Sequence, residues 1–168
     1  LNIDPVLVTQ KVCNALIDNI KTSEIDEIAA RIAQGMVISN PDYSVLAGLI
    51  CVSNIHKNTP KTFYEYSDRL YNQDILSKSF ILFVKKYKDD IQELINYDND
   101  YSYDLFAIKT LERSYLIKDK NTREIVENPS YMWMRVAIGI WCDEDEDEDE
   151  DEEKNKKEVF EKVKESYL

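Results

Sequence analysis

Residues 97–141 read YDNDYSYDLFAIKTLERSYLIKDKNTREIVENPSYMWMRVAIGIW, and this stretch decides what the chain builds. Over 101–115 the apolar residues favour a helix. The segments 114–118 and 123–127 flank the turn-forming Asp119-Lys120-Asn121-Thr122, a pattern that predicts a small β-hairpin. Pro129 then opens a helix carrying Met132, Trp133, Val136, Ala137 and Ile140. The fold class that follows is mainly α, a set of helices around one short hairpin.

Upstream, the same signals recur. Asp4-Pro5 places an N-cap carboxylate before a proline at the first helical position, and Val8, Val12, Ala15, Leu16 and Ile20 follow at helical spacing. Thr22-Ser23-Glu24-Ile25-Asp26 puts a hydroxyl before an acidic first turn and starts a second helix, with Ile25, Ile28, Ala29, Ile32, Ala33 and Met36 on the face that packs against the first. Asn40-Pro41-Asp42 starts a third, whose Val45, Leu46, Leu49, Ile50 and Val52 cover more than one face, so it is the most buried of the three. A fourth carries Phe63, Tyr66, Leu70 and Tyr71, and a fifth runs from Phe80 through Phe83, Val84, Tyr87, Ile91 and Leu94 to Ile95. Val159, Phe160, Val163 and Tyr167 predict a last amphipathic helix.

Composition agrees. With 3 Gly, 4 Pro and 43% hydrophobic residues in 168, neither a loop-rich sandwich nor global disorder is expected. The net charge of −12 is misleading, because the eleven acidic residues of 143–153 account for all but one unit of it. The rest is nearly neutral, so neither a nucleic-acid-binding field nor a basic membrane face is written into it. The run repels itself and reads as a disordered insertion between two helices, with an acidic dock for basic proteins as the alternative. Cys13, Cys51 and Cys142 are odd in number and widely spaced, and His56 is the single histidine, which disfavours a disulfide scaffold and a metal site. Cys13 and Cys51 read as small buried hydrophobes. No apolar run approaches a membrane span, and the start LNIDPVLV is no signal peptide; cytoplasmic placement is expected.

No catalytic constellation emerges. Gly35, Gly48 and Gly139 are scattered, so there is no phosphate-cradling loop, and His56 reads as a helix-end residue. The aromatic set Tyr97, Tyr101, Tyr103, Phe106 and Tyr115 reads as packing.

The core KTLERSYL and the downstream ENPSYMWMRVAIGIW closely resemble the N-terminal helical region of the class I ribonucleotide reductase large subunit. The earlier pieces LNIDPVLVTQKVCNAL, IKTSEIDEIAARIA and NPDYSVLAGLICVSNIHK resemble, in that order, the later three-quarters of the ATP-cone, the regulatory module of the same subunit. The resemblance covers nearly all of 1–141 and, weakly, the final helix. It implies a partial ATP-cone over 1–60, an N-terminal helical domain over 61–141, an acidic disordered insertion over 142–154, and an amphipathic helix over 155–168 leading toward a catalytic barrel.

Carried over residue by residue, Thr22 and Asp26 match family positions that contact the effector ATP or dATP, and Lys57 matches the basic residue that approaches its phosphates. A hydroxyl and a carboxylate at a helix start can hold polar nucleotide groups, and an ammonium neutralises phosphate. The same three residues could equally cap a helix, favour its dipole and decorate its end. The chain departs from the family in three places. It starts after the basic strand-turn segment that closes over the nucleotide, Leu49 stands where Arg is usual, and Trp141 stands where a His is common. Weak or undetectable ATP binding by the piece alone is therefore expected. The family's catalytic cysteines have no match, so the piece is expected to be catalytically silent, with no catalytic residue, metal or cofactor of its own. The partners implied are a radical-generating small subunit, further large subunits, ribonucleoside diphosphate substrates and nucleotide effectors, with no nucleic acid and no membrane. The other class of reading is a non-enzymatic helical module that binds a basic partner through 143–153.

Overall fold

A computed structural model of the chain describes residues 1–142 and 152–167. These form α1 (Pro5–Ala15), α2 (Thr22–Gly35), α3 (Asp42–Asn58), α4 (Phe63–Tyr71), α5 (Lys78–Lys86), α6 (Lys88–Leu94), a 3₁₀ turn (Tyr97–Ser102), α7 (Leu105–Ser114), α8 (Pro129–Trp141) and α9 (Glu152–Tyr167). Of the expected acidic insertion, residues 143–151 lie outside the described residues; Glu152 already belongs to α9.

Packing gathers the chain into two compact units, each made of two separate stretches. The first contains 1–58 and 98–116, the second 59–97 and 117–168.

In the first unit, Asp4 caps α1 as its sequence requires, its carboxylate accepting from Val6 and Leu7 N–H at 3.0 Å, with Pro5 at the first helical position. α2 packs on α1, but of the expected apolar face of α1 only Val8 is fully buried. Cys13, expected inside, is exposed for the same reason. α2 begins one residue earlier than a Thr22 cap would have it. Lys21 is the capping residue, and Glu24 bonds back to its N–H at 3.0 Å. Buried Ala30 and Ala33 let α2 approach α3 closely. α3 buries Tyr43, Ala47, Gly48, Cys51, Val52 and Ile55, more than α1 or α2 does. A Cβ on Gly48 would lie 2.8 Å from backbone atoms of Tyr103 and Asp104, so only glycine admits the start of α7 at that distance.

In the second unit, Thr62, Ser77 and Asn128 cap α4, α5 and α8 by accepting from Glu65, Phe80 and Tyr131 N–H. Phe63, Tyr66 and Tyr131 meet with ring centroids 5.1 to 5.5 Å apart. Around them pack Leu70, Phe80, Val84, Ile91, Met134, Ile138, Val159 and Val163.

Two further expectations are corrected. The single fifth helix is two, broken at Tyr87 (φ −109°, ψ 25°), whose ring stacks on Phe160 of α9 at 4.7 Å. The β-hairpin is absent too: Lys118 and Ile125 form one isolated antiparallel bridge, and no strand occurs among the described residues. The segments still share the bonds Val126 N–H to Ile117 O and Asp119 N–H to Glu124 O, but one carboxylate takes a ladder donor and another organises the turn. Glu127 accepts the Ile117 N–H at 2.9 Å. Asp119 accepts the N–H of Asn121 and Thr122 and the side chains of Arg69 and Gln73, so the turn is built around a side chain.

Candidate functional site

The three residues singled out in the sequence fall on α2 and α3. Thr22 is the first residue of α2 and Asp26 lies four residues on, which puts both on one helix face a turn apart. Lys57 occupies the last turn of α3. Its Nζ lies 2.7 Å from Asp26 Oδ2, with the Lys57 side chain 59% exposed and that of Asp26 21%. The fold therefore brings Lys57 to Asp26 across thirty-one residues of sequence. Thr22 stands exposed at the start of the same face. An open hydroxyl, an ammonium and a carboxylate at the ends of two packed helices can meet a phosphate and a sugar or base hydrogen-bond donor.

The neighbouring His56 sits at a helix end as expected, but it is not a simple surface residue. Its Nε2 lies 2.8 Å from Oδ2 of Asp100, a carboxylate buried in the 3₁₀ turn, and its ring stacks on Tyr101, centroids 5.8 Å apart and 10° from parallel. Spacing alone could not reveal this pair, since its members are forty-four residues apart. Cys51 is buried, and that burial pushes its thiol pKa up despite the nearby Lys109, so it is a packing residue rather than a nucleophile.

A separate groove of about 400 Å³ runs between α1 and α2, lined by Lys11, Asn14, Ala15, Ile32, Gly35 and Met36; none of the three candidate residues lines it. No cluster of His, Cys, Asp or Glu among the described residues has the arrangement of a metal site. No helix among them is long and apolar enough to cross a membrane.

Comparison with known proteins meets this geometry from the sequence side. The family model described as ribonucleotide reductase, all-alpha domain, matches residues 101–167. The ribonucleoside-diphosphate reductase large chain of Neurospora crassa is 40% identical over 152 residues, covering 85% of this chain and 16% of that protein. The large subunit from Vaccinia virus is 42% identical over 148 residues (83% of this chain, 19% of that protein). That of Arabidopsis thaliana is 44% identical over 155 residues (84% and 18%). The chain thus spans 16 to 19% of the length of these relatives. Similarity that runs through both compact units, at this level and in the same family each time, shows that the chain belongs to the ribonucleotide reductase large-subunit family.

Proposed function

We propose that this chain is the N-terminal regulatory and helical part of a ribonucleoside-diphosphate reductase large subunit, and that ATP and dATP act on it as effectors at Thr22, Asp26 and Lys57. What supports this best is identity of 40 to 44% with large subunits across more than four-fifths of the chain. The exposed Lys57–Asp26 pair at the end of α3 adds a chemically suitable place for a nucleotide. Lys57 supplies charge for phosphate, Thr22 a hydroxyl, and Asp26 an acceptor for a ribose or base donor.

In this reading the whole subunit reduces ribonucleoside diphosphates. The ribose 2'-hydroxyl leaves as water and hydrogen takes its place, with two electrons from a dithiol donor and a radical from a separate small subunit. The residues described above bind and regulate, and the chemistry occurs in a catalytic barrel beyond them. The subunit works in the cytoplasm, with its small subunit and with other copies of itself.

The test is to express the complete reading frame and assay CDP reduction with a small subunit and a dithiol donor. Reductase activity that responds to ATP and dATP, with the response lost in Lys57→Ala, is the expected result. A full-length protein without reductase activity would overturn the assignment. Activity that responds to nucleotide identically in Lys57→Ala would overturn the site.

A further inference from the structure

The last turn of α3 carries two neighbouring side chains that hold two different parts of the first unit. Lys57 grips Asp26 on α2 at 2.7 Å, and His56 grips Asp100 in the 3₁₀ turn at 2.8 Å. Their surroundings make the two grips unequal. The Lys57–Asp26 pair stands largely in water, where such attraction is screened and easily exchanged for another anion. Asp100 has a side chain only 2% exposed and His56 one 19% exposed, so parting them would leave a buried carboxylate short of a hydrogen bond that water does not replace.

From this arrangement the geometry points to a regulatory coupling: an anionic ligand that draws Lys57 off Asp26 shifts the last turn of α3, and His56 passes the shift to Asp100 and the 98–102 segment. The coupling deepens the proposed effector site and rests on that reading for the identity of the ligand. His56 is a positioning residue in it, acting through the helix turn it shares with Lys57. Beyond Ile55 the helix buries no residue, so 56–58 are the least enclosed part of α3. The preceding residues are held by buried Tyr43, Ala47, Cys51, Val52 and Ile55. The receiving end is bounded as well. Gly48 sits against the backbone of 103–105 without room for a methyl group, and Asp104 caps α7 through the Ala107 N–H at 2.8 Å. Movement entering at Asp100 therefore meets a fixed boundary on its C-terminal side, at 103–105.

Amide hydrogen exchange on the 168-residue chain tests the coupling, first without nucleotide. Replacing Asp26 by Asn releases Lys57, and exchange at 98–102 is expected to change by about two- to fivefold, the factor a surface ion pair carries. In an Asp100→Asn background the same replacement should have no effect at 98–102. No change in the unaltered background, or an equal change in both, would overturn the coupling. Should Asp100→Asn fail to fold, His56→Phe replaces it as the broken link. His56→Gln, whose amide can still reach Asp100, should keep the response. A second measurement adds saturating ATP to the full-length subunit, since the 168-residue piece alone is expected to bind ATP weakly or not at all. The expected result is the same change at 98–102, lost in His56→Phe while the Kd for ATP stays within about twofold. Coupling seen without nucleotide, together with no effect of ATP on α2 or α3, would uphold the link and refute the effector reading.

Discussion

Glu127 is completely buried and accepts hydrogen bonds from the Tyr66 hydroxyl, the Ile117 N–H, and Arg135 Nε and Nη2 at 2.6 and 3.1 Å. Burial, reinforced by the Glu127 charge, pushes the Tyr66 hydroxyl pKa well up, so Tyr66 stays a donor throughout the working pH range. Removing the carboxylate in Glu127→Ala strands an arginine and a buried hydroxyl, and urea unfolding should show a loss of about 3 to 5 kcal/mol. Asp119 makes a pH prediction. The Thr122 N–H first, then Arg69 and Gln73, hold its carboxyl far below the usual range. A carboxylate with a depressed folded pKa contributes stability that is fully present above the unfolded value of about 3.9 and is lost as pH falls through the folded one. Asp119→Asn should therefore lower the melting temperature at pH 7 and lose less on acidification below about pH 4 than the unaltered chain does. Neither role was legible in the sequence. Glu127 and Asp119 read there as polar residues of a hairpin, and their partners Tyr66 and Arg69 lie fifty or more positions away.

At the scale of elements, the starts of α1 and α8 were read from Asp4-Pro5 and Pro129, where Asp4 and Asn128 bond to an N–H two or three residues ahead. Thr62, Ser77 and Asp104 cap α4, α5 and α7 by the same local bond and were not read as caps, so the helix expected from 101 begins at Leu105. Long-range competition defeated the other readings. Periodicity runs smoothly through 80–95, yet Tyr87 ends α5 where its ring meets Phe160 of a helix more than sixty residues on. The apolar pattern of α1 is sound, but packing uses little beyond Val8. Gly48 belongs to this scale because it sets the distance between α3 and the chain entering α7. Gly48→Ala should cost about 1 to 3 kcal/mol by thermal unfolding, despite alanine's better helix propensity, since the added methyl would meet backbone rather than a side chain that can swing away.

Taken as a whole molecule, the chain interleaves its two units: it leaves the first after Asn58 and returns to it at Asp98. Residues 1–58 alone should accordingly unfold without a sharp transition, and joining them to 98–116 through a short flexible linker should restore a cooperative melt by circular dichroism. The missing piece supplies α7 against α3 and Asp100 against His56. What the sequence by itself determined was the helical class, most helix starts, and the family, because caps, apolar period and the order of KTSEID, SNIHK, KTLERSYL and ENPSYMWMR are written in contiguous residues. It also named Thr22, Asp26 and Lys57. The tertiary structure alone decided that Lys57 meets Asp26, that His56 meets buried Asp100, that Glu127 gathers Tyr66 and Arg135, and that 98–116 rejoins the first unit. Each of these depends on a partner distant in sequence or on a helix surface that only packing selects, and no local propensity encodes such a choice.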